Sequence, residues 1–212
     1  MENIYRLTDK QHEGLYVKKK SNGYYLLKIE LSGDGAKLTE TTKFYMLPYF
    51  LMSSDYYGEF TKVDFSESAY IETSLSLLEE AFIVAEKAHK EQTDKNGKPY
   101  IEHVKRVADK LEFVEDKIIA LLHDTIEDTE VTAKELLEIF PKYVVEAVKS
   151  LSRNKEMESY REFIQRVSLN DIAVSVKVAD LKDNYHRDMK NPKPSLKKRY
   201  KWALEFLGES VE

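Results

Sequence analysis

Residues 118–128 read Ile118-Ile119-Ala120-Leu121-Leu122-His123-Asp124-Thr125-Ile126-Glu127-Asp128. Five consecutive apolar side chains leave no polar face for solvent, so the pattern predicts a helix buried nearly all round. A histidine and an aspartate directly follow it, at the edge of a core, where leaving them unpaired would be expensive. Glu127 lies four residues from His123 and three from Asp124, so these side chains share a face if the helix continues. With Asp128 beside them, the acids would repel one another and raise their pKa values unless a cation sat among them. A bound metal is the simplest resolution.

Working outward, the helical pattern extends in both directions. Leu75, Leu78, Phe82, Ala85 and His89 fall on one face at steps of three and four, behind Thr73 as an expected cap. After the polar loop from Thr93 to Pro99, a second helix carries Ile101, Val104, Val107, Ala108 and Leu111. Thr132 with Glu135 is a capping-box pattern, and Pro141 opens a helix holding Val144, Val145, Val148 and Leu151. Two more are expected around Tyr160 to Val167 and Asp171 to Tyr185, and a last one, beyond Pro192 and Pro194, around Leu196, Tyr200, Ala203 and Leu207. Residues 73–212 are predicted to be an all-α domain of seven or eight helices.

Residues 1–72 follow other rules, holding nine of the 14 tyrosines and five of the seven glycines. Asn22-Gly23 between β-favouring runs is a strong hairpin signal, Gly33-Asp34-Gly35 reads as another turn, and Lys43 to Leu47 as a third strand. The expectation is a small, mostly antiparallel β module ahead of the helices, α+β overall, with no visible chemistry of its own. Its tyrosines are read as ordinary strand residues.

The chain of 212 residues has no cysteine, which excludes disulfides, thiolate metal sites and a cysteine nucleophile. Histidine and carboxylate are the remaining metal ligands. The opening MENIYRLTDK carries charge where a signal peptide needs an apolar core, and no apolar run reaches the ~20 residues of a membrane span. A soluble cytoplasmic protein is expected. With 33 basic against 38 acidic side chains there is no general attraction to nucleic acid, so an anionic substrate must be held locally. No GxxxxGK or GxGxxG loop and no Gly-x-Ser-x-Gly elbow is present.

Two more groups could complete a metal site with His123 and Asp124. His103 and Asp180 both sit on otherwise apolar helical faces, Asp180 one step beyond Ile172 and Val176, with Asn184 four residues on. Two imidazoles and two carboxylates suit manganese, iron, nickel, cobalt or zinc without choosing among them.

The ordered set AHKEQTDKNGKPYIEH (88–103), ALLHDTIEDTEVT (120–132), SLSRN (150–154) and VKVADLKDN (176–184) resembles the HD-domain metal-dependent phosphohydrolases. Within them it is most similar to the hydrolase domain of the Rel/Spo-type enzymes of the alarmone (p)ppGpp and their small stand-alone relatives. The resemblance implies an HD helical bundle, ligation of a divalent metal, with Mn2+ the first choice, by His103, His123, Asp124 and Asp180, and a catalytic acidic pair, Glu127 and Asp128. It implies that Lys95 and Asn184 contact the substrate, a small nucleotide. Asp94 stands where those hydrolases carry an arginine that packs on guanine, and an aspartate offers no flat cation. The implied reaction is pyrophosphate release from (p)ppGpp. Hydrolysis of another nucleotide or phosphomonoester, and nucleotide sensing with little turnover, are the alternatives. No region of synthetase length follows Tyr185, so degradation without synthesis is expected. His89 is expected to be a core histidine, His12 and His186 to be surface residues, and the basic run Lys193, Lys197, Lys198, Arg199 and Lys201 to be a solvated face. Lys90, Lys98 and Lys182 are further candidates for attracting phosphate.

Overall fold

The computed structural model describes residues 4–7, 14–20, 23–33, 35–41, 60–63, 66–94, 96–187 and 193–210. Strands β1 (Ile4–Leu7), β2 (Tyr16–Lys20), β3 (Gly23–Ser32), β4 (Gly35–Glu40) and β5 (Phe60–Lys62) form one sheet in the order β4-β3-β2-β1-β5. Every pairing is antiparallel. The expected hairpins are present: Lys20 faces Gly23, and Ser32 faces Gly35. The strand after the second turn is Gly35–Glu40, and the segment Lys43 to Leu47 lies outside the described residues. Alternation of the half-buried Ala36 and Leu38 with Lys37 and Thr39 is the period-two signal for β4. Gly14, at φ +105°, turns the chain into β2, and a Cβ there would come within 3.3 Å of the Pro141 ring.

Nine helices follow among the described residues: α1 (Glu67–Ala88), α2 (Ile101–Asp109), α3 (Val114–Leu122), α4 (Thr125–Asp128), α5 (Ala133–Leu137), α6 (Lys142–Leu151), α7 (Tyr160–Val167), α8 (Asp171–Arg187) and α9 (Pro194–Phe206). The α+β expectation holds. Helix α1 starts at Glu67, ahead of Thr73, because Ser66 Oγ accepts a hydrogen bond from the Ala69 amide and an acid fills the first turn; Thr73 is an exposed mid-helix residue. The capping box at Thr132 and Glu135 is formed, and Ser159 with Glu162 makes a second one opening α7.

The apolar helix ends at the His-Asp pair, as the sequence suggests, and does not continue as one helix through residue 127. Helix α3 ends at Leu122, His123 and Asp124 form the corner, and α4 is a separate turn. The Thr125 hydroxyl donates 2.7 Å to the Leu122 carbonyl, satisfying a helix-end acceptor that a continuing helix would have used. His123, Asp124 and Glu127 therefore do not share the face of one continuous helix.

Ile118 to Leu122 are buried on every side, as their composition predicts, and α3 forms the centre of the molecule. One apolar cluster joins Leu15, Val17, Leu26 and Ile29 of the sheet side to Val104, Ile119, Val144, Ile164 and Val176 of the helices. Strand β3 is buried from Leu26 through Ile29, including Lys28, whose ammonium pairs with Asp116 at the start of α3. The sheet thus packs into the helical core. Among the described residues no helix is long and apolar enough to cross a membrane.

Candidate metal centre

Three elements bring the candidate ligands together. His103 sits in the first turn of α2, after a loop closed by the Thr93–Pro99 bridge. His123 and Asp124 occupy the α3–α4 corner, and Asp180 lies within α8, where Ile172 and Val176 bury the same face. One ligand atom from each of His103, His123 and Asp180 falls within 4.8 Å of the others. Asp124 is not part of that three-residue group but lies beside it, its Oδ2 2.8 Å from His123 Nε2 and 3.9 Å from His103 Nε2. Asp180 Oδ1 is 3.3 Å from His103 Nε2 and 3.9 Å from His123 Nε2.

Hydrogen bonding decides which imidazole nitrogens face inward. His123 Nδ1 lies 2.7 Å from the Ala120 carbonyl, an obligate acceptor, so Nδ1 carries a proton. His103 Nδ1 lies 2.8 Å from Asp183 Oδ2, with the same consequence. Both Nε2 atoms then present lone pairs to two carboxylates. His123 Nε2 is fully buried and has no hydrogen-bond partner, although Asp124 is close. A buried polar atom without a partner is costly. Two imidazole lone pairs and two carboxylates converging in this way form a nitrogen and oxygen donor set that fits a divalent cation.

Without a cation, protons take its place. Burial lowers the His123 pKa, but the adjoining Asp124 and Asp180 carboxylates override it and push it up to about 9. His103 is likewise raised, by Asp180 and Asp183 against the opposing effect of burial. Burial alone would raise both Asp124 and Asp180; His123 holds Asp124 low, and Lys177 with the two histidines holds Asp180 well below the usual carboxylate range. The Tyr100 hydroxyl donates 2.6 Å to Asp124 Oδ2, Lys177 Nζ donates 2.8 Å to Asp180 Oδ2, and Asn184 Nδ2 donates to Asp180 Oδ1. Asn184 is thus placed at the site, bonded to a candidate ligand.

Glu127 and Asp128 lie one turn away and differ from each other. Glu127 accepts 2.8 Å from the Arg153 amide and pairs with Lys155 at 2.9 Å. Asp128 is more open, and its pKa is raised to about 6 by burial and by the nearby Asp124 and Glu127 charges. Lys95 lies outside the described residues. Its neighbour Asp94 accepts from the amides of Asn96 at 2.8 Å and Lys98 at 3.0 Å, forming the loop. His89 is buried, as expected, with Nδ1 2.8 Å from Gln92 Oε1, and Gln92 Nε2 donates 2.6 Å to the Asp128 carbonyl. His186 is exposed, as expected, and His12 lies outside the described residues.

A cleft of about 170 Å³ opens beside the centre. Tyr100, Asp124, Glu127, Asp180 and Asn184 line it together with Arg153, Lys155, Lys177 and Arg199. Sequence reasoning missed these four cations. Arg199 was expected on a solvated face; instead its guanidinium lies over the Tyr160 ring, 4.5 Å from the centroid, with Nε buried and unpaired. Arg153 Nε and the Tyr160 hydroxyl are also buried without partners. Arg166 braces the loop that carries Arg153 by donating to the carbonyls of Lys149, Ser150 and Ser152 and pairing with Glu158. Lys98 and Lys182 point elsewhere, toward Glu102 and Glu209, and neither lines the cleft; nor does Lys90. A signal for Arg153 existed in the SLSRN stretch, whereas Lys177 and Arg199 read as helix-face charges.

Comparison with known proteins bears out the HD-domain resemblance. The HD domain family model matches residues 81–181. The bifunctional (p)ppGpp synthase/hydrolase SpoT of Escherichia coli K12 is 32% identical over 143 residues, covering 60% of this chain and 20% of that protein. The guanosine-3′,5′-bis(diphosphate) 3′-pyrophosphohydrolase of Aquifex aeolicus is 34% identical over 118 residues, covering 50% of this chain and 17% of that protein. The chain therefore spans about a fifth of these relatives. A solved structure of a metazoan ortholog of SpoT, described as hydrolysing ppGpp, superposes with TM-score 0.51 at 24% identity, covering 63% of this chain and 82% of that one. This last likeness concerns the fold.

Proposed function

We propose that this chain, with an HD domain at residues 81–181, is a metal-dependent phosphohydrolase that cleaves a phosphate or pyrophosphate ester of a small nucleotide, (p)ppGpp first among them. The observation that carries the reading is the convergence of the buried His103 and His123 Nε2 atoms on the Asp124 and Asp180 carboxylates. His103, His123, Asp124 and Asp180 would hold the ion, with Mn2+ the first choice and Fe, Ni, Co and Zn compatible with the same donors. When bound, a divalent ion lowers the pKa of water in its shell and screens phosphoryl charge.

The chain's own residues supply the rest. Lys177, Arg153, Arg199 and Lys155 offer four cations to an anionic group in a cleft sized for a phosphate or pyrophosphate end and smaller than a typical whole-ligand pocket. Asp128, with its pKa pushed up to about 6, is suited to accept a proton near neutrality. Glu127 holds the Arg153 loop and Lys155 in place from its own side of the cleft. Tyr100 and Asn184 fix the orientation of Asp124 and Asp180. Strand β3 serves, in this reading, to brace the start of α3 through Lys28 and the Ile29 amide.

A second substrate reading rests on Asp94. Its carboxylate is committed to the loop amides of Asn96 and Lys98, which favours a nucleotide other than guanine, or a phosphomonoester, over the alarmone. Incubation with ppGpp and Mn2+ followed by chromatography tests the first reading, which expects pyrophosphate release. A panel of nucleotides and phosphomonoesters tests the second. Tight nucleotide binding with no turnover across the panel would instead identify a sensor.

A further inference from the structure

Asp183 is almost completely buried, one turn beyond Asp180 on α8, and four nitrogen atoms from three side chains converge on its carboxylate. Oδ2 faces His103 Nδ1 at 2.8 Å and Arg106 Nη2 at 3.2 Å; Oδ1 faces Lys110 Nζ at 2.6 Å and Arg106 Nε at 3.2 Å. Arg106 and Lys110 belong to the stretch carrying His103, so α2 grips an α8 carboxylate at three points. The other inward-facing histidine has no such partner: His123 Nδ1 meets only the neutral Ala120 carbonyl.

We propose that Asp183 is a positioning residue that fixes the tautomer and ring orientation of His103 and, as a carboxylate, makes its Nε2 the more electron-rich of the two imidazole donors. The inference rests on the metal-centre reading above. A carboxylate bonded to the far nitrogen of a ligating histidine raises that ligand's basicity, and its loss characteristically costs about 10–100-fold in metal affinity. Arg106 and Lys110 have a separate part. Either cation alone is enough to compensate the buried charge, so that Asp183 stays ionised when the other is removed.

The test compares Mn2+ affinity, measured by titration of the free ion, in the wild type, Asp183→Asn, Asp183→Ala, Arg106→Gln and Lys110→Gln. Asp183→Asn keeps the size and an acceptor oxygen but removes the charge, and it protects the test if Asp183→Ala fails to fold. Roughly 10–100-fold weaker binding is expected in Asp183→Asn, with Asp183→Glu restoring part of the loss and the Arg106 and Lys110 variants close to wild type. In the Zn2+-loaded protein the His103 Nδ1 proton should resonate at the low field of an imidazole–carboxylate bond, and move upfield in Asp183→Asn. Wild-type Mn2+ affinity together with an unmoved proton in Asp183→Asn would overturn the positioning role while leaving the metal centre standing. Equal losses in Arg106→Gln and Asp183→Asn would show Asp183 to be only a structural anchor. No binding of Mn2+ or Zn2+ by the wild type would overturn both readings.

Discussion

The two ends of helix α3 each bury charged groups, and they do so in opposite ways. At its start, Glu115 and Asp116 are almost completely buried, yet every oxygen has a partner: Glu115 accepts from Tyr70 at 2.7 Å and from the Ile29 amide at 3.1 Å, while Asp116 pairs with Lys28 and accepts from Ser175 at 3.4 Å. At its end, the Ala120 carbonyl holds His123 Nδ1 and the Tyr100 hydroxyl holds Asp124 Oδ2, while His123 Nε2 is turned toward the Asp124 and Asp180 carboxylates without a well-aligned hydrogen bond to either. A polar cluster satisfied within the chain specifies the fold. One left incomplete by the same chain marks a place where something else belongs.

The largest expected effect falls on the incomplete end. Asp124→Ala should lose bound metal and turnover together, by more than the roughly 10–100-fold that losing an outer partner costs, and the metal-free protein should also lose the stability that this carboxylate gives the protonated His123. Metal analysis with a turnover assay decides it, and full metal content in the variant would erase the contrast. At the satisfied end the order reverses. Asp116→Ala leaves the buried Lys28 ammonium uncompensated and should cost about 3–5 kcal/mol in urea denaturation, whereas Lys28→Met with Asp116→Leu should recover most of it. A single variant as stable as wild type would remove the structural role of that end.

The pH dependence of stability sharpens the same comparison. In the metal-free protein the folded His123 pKa of about 9 lies above the unfolded value of roughly 6.5. Its contribution is therefore complete below pH 6.5 and is lost as pH rises through 9. Thermal melts should fall over this window, and saturating Mn2+ should abolish the fall because the ion replaces the protons. The smallest effect is Tyr70→Phe, which removes one hydrogen bond from the Glu115 carboxylate and should cost about 1.5–3 kcal/mol without changing metal content.

Much of this organisation was legible in the chain. The run Ile118 to Leu122 announced a buried helix because it offers no polar face, and the ordered motifs named His103, His123 and Asp180, which the fold brings together, with Asp124 beside the two histidines. The end of that helix at His123-Asp124 was legible, but whether the next turn continued in line was not, because the side-chain spacing of a continuing helix and of two short ones is identical over five residues. It is Thr125 bonding back to Leu122 that marks the corner. Arg199 misled for a related reason: a cation on an amphipathic helix reads as solvated unless a neighbour such as Tyr160 covers it.

Sequence alone marked the candidate ligands, since imidazoles and carboxylates in apolar surroundings are conspicuous in one dimension. Tertiary structure alone decided which nitrogen of each histidine faces inward, that Asp183 stands behind His103, and that cations from three separate segments meet at one cleft. The physical reason is range. Periodicity reports contacts within a few residues, whereas hydrogen-bond direction and burial depend on partners that the chain brings in from 80 residues away, as it does for His103 and Asp183.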